Sequence, residues 1–218
     1  MAVLRWGSGT DPGRVHTGNE DGMHAGGNAF VVADGMGGHN AGEVASELTV
    51  QLVSERLAEE PSTVDDVLAT VVDANNTIFR AAADNPEQRG MGTTVTALMR
   101  AGNKLVMAHI GDSRAYLLRD GELVQITTDH TFVEYLVQTG RITPEEADVH
   151  PQRSVVMRVL GDHDVEIVPD LSVREAREGD RWLLCSDGLS GVVSGDTLKE
   201  ALVTFADVDE CADRLVNV

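Results

Sequence analysis

The sequence predicts an α+β domain in which antiparallel strands and separate helices share one core. Two observations predict this class. Segments 42–58 and 62–79 repeat apolar residues at the 3.6-residue period of a helix. After residue 92 the chain changes to β-branched and apolar runs separated by tight turns, which favour an antiparallel meander over parallel βαβ units. A chain of 218 residues suits one sizeable core, so residues 1–218 are expected to form a single domain.

The first third of the chain contains two predicted strands and two predicted helices. Residues 3–10 alternate weakly and predict a first strand, and the apolar run 29–33 predicts a buried one. A helix is expected from about Gly42 to Ala58. A second helix is expected after a Ser62 cap, with Asp65 three residues later in a capping-box position.

The rest of the chain is predicted to be mainly strands, with a flap and two closing helices. The predicted strands are 93–99, 104–110, 113–118, 123–126, 165–173 and 181–186. Residues 129–160 interrupt this series and are expected to form a flap-like excursion from the sheet. The closing helices are expected to be capped by Ser194 (or Asp196) and by Asp207.

Composition excludes several classes of partner. The net charge is −19, from 36 acids and 17 bases, which argues against nucleic acid and anionic membranes because both select basic patches. We expect no membrane span, since no run approaches about 18 apolar residues. The N-terminal residues lack the apolar segment of a signal peptide. Cys185 and Cys211 are expected to be reduced thiols, Cys185 buried, which suits a cytoplasmic protein.

Acids recur where the predicted strands end. Asp34 opens the glycine-rich loop Asp34–His39, and Asp112 and Asp187 stand at two later strand exits with glycine beside them. Glu20 and Asp21 are two further, adjacent acids. Each of these alone is also typical of an ordinary solvated turn.

Together the acids indicate a cation site. Carboxylates gathered at one end of a sheet repel and must protonate or pair. Hard divalent cations such as Mg²⁺ and Mn²⁺ solve this with oxygen ligands, whereas the His and Cys spacing does not suit zinc. Two such ions about 4 Å apart share a water, lower its pKa and clamp an in-line displacement at phosphorus.

Seven short motifs follow one another along nearly the whole chain. They are Asn19-Glu20-Asp21, Asp34-Gly-Met-Gly-Gly-His39, Gly90-Met-Gly-Thr-Thr94, Gly111-Asp-Ser-Arg114, Asp129-His130, His150-Pro-Gln-Arg153 and Ser186-Asp-Gly-Leu189. In this order the sequence resembles the PPM-type (protein phosphatase 2C) family of metal-dependent serine/threonine phosphatases, in its bacterial form. Each motif alone is weak, whereas seven in the family's order are specific.

The resemblance implies a four-layer αββα sandwich, two antiparallel sheets flanked by pairs of helices, with metals between the sheets. It implies two Mn²⁺ or Mg²⁺ ions, and a third as in bacterial members. The implied ligands are Glu20, Asp21, Asp34, Gly35 (through its carbonyl), Asp112 and Asp187. Asp34 would bridge two metals, Asp187 would ligate the second, and Asp112 would join Asp187 at the third.

The implied activity is hydrolysis of phosphoserine and phosphothreonine by a metal-bridging hydroxide, without a phosphoenzyme. Asp34 and Asp187 would act through the metals, and His39 is the candidate proton donor to the leaving oxygen. The implied partners are phosphorylated proteins, with a bacterial Ser/Thr kinase and its substrates. Two alternatives stay open: a catalytically impaired, phosphoprotein-binding pseudophosphatase and a small-molecule phosphoesterase.

The sequence departs from the family at two places. His16 occupies the position where an arginine usually grips the phosphate, and Arg14 is the candidate to compensate. Restoring arginine at position 16 is therefore predicted to lower KM. The family's last strand, whose Asp completes the second metal's shell, has no match before Val218. Asp207 and Asp213 lie on predicted helical sequence and are not expected to replace it.

Overall fold

The structure is a computed structural model that describes residues 3–14, 18–37, 41–59, 62–161 and 167–218. Two antiparallel sheets face each other through a small apolar layer, and helices cover the outer face of each sheet. The predicted α+β class and four-layer αββα sandwich are therefore confirmed.

The larger sheet is formed mainly by strands from the first half of the chain. Its strands, in spatial order, are β1 (Asp21–Gly26), β2 (Ala29–Met36), β4 (Val95–Ala101), β5 (Lys104–Ile110) and β8 (Asp170–Glu175), with the two-residue strand β3 (Gly92–Thr93) beside β2. β5 matches its predicted bounds, whereas β8 begins at Asp170. Residues 165 and 166 of the predicted strand 165–173 lie outside the described residues.

The smaller sheet contains β7 (Glu122–Gln125), β6 (Arg114–Arg119) and β9 (Arg181–Cys185), in that order. The predicted antiparallel pairing is confirmed, but the predicted meander is interrupted, because β5 pairs with β4 and β8 while β6 pairs with β7 and β9. The residues between β5 and β6 carry the chain from one sheet to the other. Gly111 makes this crossing with a left-handed φ of 108°, a conformation that favours glycine.

Helices α1 (Ala41–Leu57) and α2 (Val64–Asp84) cover the larger sheet. The core beneath them is aliphatic, and α1 contributes mainly small residues such as Ala41 and Ala45. The predicted cap of α2 is wrong by one residue. Thr63 is the N-cap, its Oγ1 accepting from the Asp66 N–H at 3.2 Å while the Asp66 carboxylate accepts from the Thr63 N–H at 2.9 Å. Ser62 is instead buried.

Helices α6 (Gly195–Thr204) and α7 (Val208–Val216) cover the smaller sheet, after the one-turn helix α5 (Asp187–Ser190). Ser194 and Asp207 cap them, as predicted, and Asp213 lies within α7. Both cysteines are buried and free, which confirms the expected thiols. Of the helices in the described ranges, none has the length and apolar character needed to cross a membrane.

Two other segments complete the fold. Residues 3–10 do not form the predicted strand and instead lie against α7. The contact is close, since a Cβ at Gly9 would come 2.9 Å from Val216 Cγ2. The flap contains α3 (Phe132–Gln138) and α4 (Pro144–Asp148), and an isolated bridge between Thr131 and Val156 closes its base.

Candidate metal centre

The carboxylates of Asp21 and Asp34 come from two paired strands. The antiparallel register of β1 and β2 places Asp21 directly opposite Asp34. Residues opposed in this way have Cβ atoms about 4.5–5.5 Å apart and point to the same face of the sheet. Both side chains are half-buried. The two acids are therefore neighbours because of strand pairing and not because of a loop conformation.

The backbone of Asp34 is held by two threonines that follow Gly92. The Asp34 N–H donates to Thr94 Oγ1 at 2.9 Å. The Thr94 N–H and the Thr93 hydroxyl both donate to the Asp34 carbonyl, each at 2.9 Å. Neutral groups thus fix the end of β2, and the carboxylate is not needed to hold the strand.

Two glycines allow Glu20 to approach the start of α1. The Gly35 N–H and the Ser46 hydroxyl donate to the Glu20 carbonyl at 3.1 and 2.6 Å. A Cβ at Gly42 would collide with Glu20 Oε2, and a Cβ at Gly35 would collide with the Gly42 carbonyl. The Glu20 carboxylate therefore lies against the backbone of Gly42, near the carbonyl carbon of Gly35, where a side chain at position 42 would exclude it.

Asp187 reaches the same place from the other sheet. It is the first residue of α5, directly after β9, and its carboxylate lies within hydrogen-bonding distance of the Asp34 carboxylate. The adjacent Ser186 hydroxyl donates to Asp21 Oδ2 at 2.7 Å, across 165 residues of sequence. The end of β9 is thus attached to both acids of the β1–β2 pair.

Asp112 is the fourth acid and lies in the crossing between the sheets. Its exposed fraction is 9%. Burial raises its pKa to about 6, with a further contribution from the charges of Asp187 and Asp129. We call Asp21, Asp34, Asp112 and Asp187 the four-acid site.

The carboxylates of this site oppose one another. Burial raises the pKa of Asp34 to about 8, and the charges of Asp21, Asp187 and Asp112 add to the effect. Burial also raises the pKa of Asp21, although the Ser186 hydroxyl offsets part of the rise. Without a cation, Asp34 therefore carries a proton at neutral pH.

The donor set fits a hard divalent cation. All of the side-chain donors are carboxylate oxygens, and a bound cation would remove the repulsion that raises the pKa of Asp34. Within the described ranges, no three His, Cys, Asp or Glu side chains already close around one point. The acids are instead linked in pairs, Asp34 to Asp187 directly and Asp21 to Asp187's neighbour Ser186. Such an open set suits Mg²⁺ or Mn²⁺, which keep several water ligands.

The other predicted site residues are Arg14, His16 and His39. Arg14 lies in an exposed turn, and His16 and His39 lie outside the described residues. Sequence reasoning gave no role to Ser186, although it belongs to a quoted motif. A hydroxyl directly before a strand-end acid was the available signal, but its partner Asp21 is set by tertiary structure.

Comparison with known proteins identifies the family. The family model described as protein phosphatase 2C matches residues 14–217. The serine/threonine protein phosphatase PstP of Mycobacterium tuberculosis is 53% identical over 220 residues, which cover 99% of this chain and 42% of PstP. The chain therefore spans less than half of that relative. The protein phosphatase PhpP of Streptococcus pneumoniae is 36% identical over 220 residues, covering 95% of this chain and 89% of PhpP.

A solved structure agrees with the sequence relatives. The crystal structure of the PstP catalytic domain in complex with two manganese ions matches with a TM-score of 0.89 and 49% identity, over 98% of this chain and 90% of that one. The match covers both sheets and their helices. On the evidence of the family model, the relatives and the shared fold, this chain belongs to the protein phosphatase 2C family.

Proposed function

We propose that this chain hydrolyses phosphoserine and phosphothreonine in proteins, with Mn²⁺ or Mg²⁺ held at the four-acid site. The observation that carries the proposal is the contact of Asp34, on β2, with Asp187, after β9. Two distant parts of the chain bring the exposed Asp187 carboxylate against the half-buried Asp34 carboxylate, and this repulsion costs folding free energy unless a cation offsets it. The names of the relatives as serine/threonine or protein phosphatases support the same reaction.

Each acid has a proposed role. Asp34 would help to hold two ions, one together with Glu20, Asp21 and the Gly35 carbonyl and the other together with Asp187. Asp112 would join Asp187 at a third position. When bound, the ions supply Lewis-acid charge for the phosphate and lower the pKa of a water. Asp34 must lose its proton when the site fills, so cation binding should release protons.

The described cysteines do not support a thiol mechanism. Cys185 is 6% exposed, and burial raises its pKa to about 11. A thiol with this pKa is protonated at neutral pH and is a poor nucleophile. The roles of His39 as proton donor and of His16 and Arg14 as phosphate ligands stay predictions.

Phosphorylated proteins are the proposed partners, together with the Ser/Thr kinase that modifies them, and the cytoplasm is the proposed compartment. The net charge of −19 does not favour nucleic acid. The pseudophosphatase alternative is disfavoured because a binding module gains nothing from four acids that destabilise one another.

The test is phosphate release from a phosphothreonine peptide by metal-free protein, before and after Mn²⁺ is added. We expect turnover with Mn²⁺ and none with a chelator, and the Asp34→Asn variant should stay inactive. Peptide binding without turnover would support the pseudophosphatase. Turnover of p-nitrophenyl phosphate but of no phosphopeptide would indicate a small-molecule phosphoesterase.

A further inference from the structure

We propose that His130, oriented by Asp170, is a positioning residue that fixes the Gly111–Asp112 turn and couples it to the base of the flap. This inference rests on the proposed function, because it concerns how Asp112 is presented to a cation. His130 itself lies in neither sheet and is not a proposed ligand.

His130 occupies both polar backbone groups of Gly111. The His130 N–H donates to the Gly111 carbonyl at 2.8 Å, and the Gly111 N–H donates to His130 Nδ1 at 3.0 Å. The turn has little room to move, since a Cβ at Gly111 would come 2.5 Å from Thr94 Cγ2. Asp112 follows directly, so its carboxylate direction depends on this pair of bonds.

The hydrogen bonds define the tautomer of His130. Because Nδ1 accepts from Gly111, the ring hydrogen must be on Nε2, where it donates to Asp170 Oδ2 at 3.1 Å. Arg158 Nη1 lies 2.8 Å from Nε2, but two N–H groups cannot bond to each other. Arg158 instead donates to Asp170 Oδ1 at 3.2 Å and to the Val168 carbonyl. Asp170 therefore orients the ring so that Nδ1 faces Gly111.

The same residue closes the base of the flap. The Met157 N–H, at the far end of the flap, donates to the His130 carbonyl at 2.7 Å. Next to it, Thr131 and Val156 form the bridge that joins the two ends. The His109 ring packs against the His130 imidazole, with ring centroids 4.8 Å apart. A movement of the flap base thus displaces the group that holds Gly111, and with it Asp112.

Two substitutions separate this role from general packing. In His130→Asn the amide Oδ1 stands as many bonds from Cα as Nδ1 does, so it can still accept from Gly111. In His130→Gln the amide is one bond further out, near the position of Nε2, and the acceptor for Gly111 is lost. Asp170→Ala removes the group that sets the tautomer. His150→Gln is the matched control, because this flap histidine accepts from the nearby Gln152 N–H at 3.1 Å, and none of the hydrogen bonds of its ring among the described residues reaches the Gly111–Asp112 turn.

The readouts are Mn²⁺ affinity by calorimetry, kcat on a phosphothreonine peptide, and amide hydrogen exchange. We expect His130→Gln to weaken one Mn²⁺ site by about 10–100-fold, the usual effect of losing a partner behind a ligand. Exchange should accelerate in residues 111–113 and at the flap base, but not in α2. His130→Asn should recover most of the affinity, Asp170→Ala should fall between the two, and His150→Gln should match the wild type.

Equal effects of the Asn and Gln substitutions, or wild-type affinity and exchange in both, would overturn the proposal. A wild-type protein that releases no phosphate from any substrate would contradict the proposed function instead. In that case Mn²⁺ affinity and hydrogen exchange still decide whether His130 holds the turn.

Discussion

The two sheets contribute their acids to the site in different ways. Asp21 and Asp34 face each other across paired strands, and backbone hydrogen bonds set their separation. Asp112 and Asp187 lie outside strands, in a crossing between the sheets and at the start of a one-turn helix. Their positions depend on individual side-chain bonds, from Ser186 to Asp21 and from His130 to Gly111.

This difference separates a rigid half of the site from an adjustable half. Strand pairing involves many bonds, so one substitution in the first half should change charge without moving the backbone. In the second half, loss of one hydroxyl or one imidazole should move an acid and leave the fold intact. The predictions below test this contrast, beginning with the largest expected effect.

Asp34→Asn should abolish activity while preserving the fold. Asparagine keeps the shape but loses the charge that two cations would share, so kcat/KM on a phosphothreonine peptide should fall by more than about 100-fold, above the usual loss for a group behind a ligand. Without metal, the variant should be more stable than the wild type at pH 9 and unchanged at pH 4, since it removes a half-buried charge that neighbouring acids repel and that is present only above a pKa of about 8. If the variant is unfolded at 25 °C, the claim that strand pairing holds this half of the site without the Asp34 charge is wrong.

Metal-free protein should lose stability as the pH rises. The folded-state pKa values of Asp112 and Asp34 are raised to about 6 and about 8, so their stabilising effect is complete below the unfolded value of 3.8 and is lost as the pH passes through the raised values. Mn²⁺ should reverse this loss. At a Mn²⁺ concentration 100-fold above Kd, binding should add about 2.7 kcal/mol to the free energy of unfolding. The rise in Tm caused by a given concentration of Mn²⁺ should be larger at pH 8 than at pH 5. A metal-induced rise in Tm independent of pH would show that the acids do not hold the ion.

Gly42→Ala should destabilise the strand-paired half of the site through a steric clash, without changing any charge. The added methyl group would overlap the Glu20 carboxylate and the Gly35 carbonyl carbon, at a cost of about 1–3 kcal/mol in the free energy of unfolding. Gly195→Ala is the control, because a Cβ there meets no atom within 4 Å and its φ is not left-handed. Chemical denaturation of both variants measures the difference in their free energies of unfolding. Equal stability would refute the close approach of β2 and α1 at Gly35 and Gly42.

Ser186→Ala should have the smallest effect. Ser186 is the N-cap residue of α5 but makes no cap bond, so alanine removes chiefly the hydrogen bond to Asp21. Stability should fall by about 1 kcal/mol. Mn²⁺ affinity should fall by about 10-fold, near the lower end for partners of a ligand. Ser190→Ala is the control, since that hydroxyl donates to the Ser186 carbonyl and not to an acid. Equal affinities of the two variants would contradict the role of Ser186.

Much of the fold was predictable because local patterns and tertiary packing agree. The periodicity of α2, the mainly apolar run of β5 and the caps of α6 and α7 are local signals, and the structure bears them out. The strand at 3–10 and the single meander failed because pairing partners decide both. The predicted strands 104–110 and 113–118 were expected to continue one antiparallel meander, but the partners of β6 lie in the other sheet.

The site was predictable as a set of acids but not as a geometry. Strand ends beside glycine pointed to Asp34, Asp112 and Asp187, and in the structure the charges of Asp112 and Asp187 both act on the Asp34 carboxylate. The bonds that orient them, from Ser186 and from the pair His130 and Asp170, join residues up to 165 positions apart. No local pattern encodes those distances.

The central claim is that acids from both sheets act as one metal centre, and a double-mutant cycle in Mn²⁺ affinity tests it most directly. Metal-free wild type, Asp34→Asn, Asp187→Asn and the double variant would be titrated by calorimetry at pH 7.5. If the two acids hold shared ions, each single variant should lose most of the affinity, and the double variant should lose little more. Additive losses, or an unchanged affinity in either single variant, would contradict the shared centre.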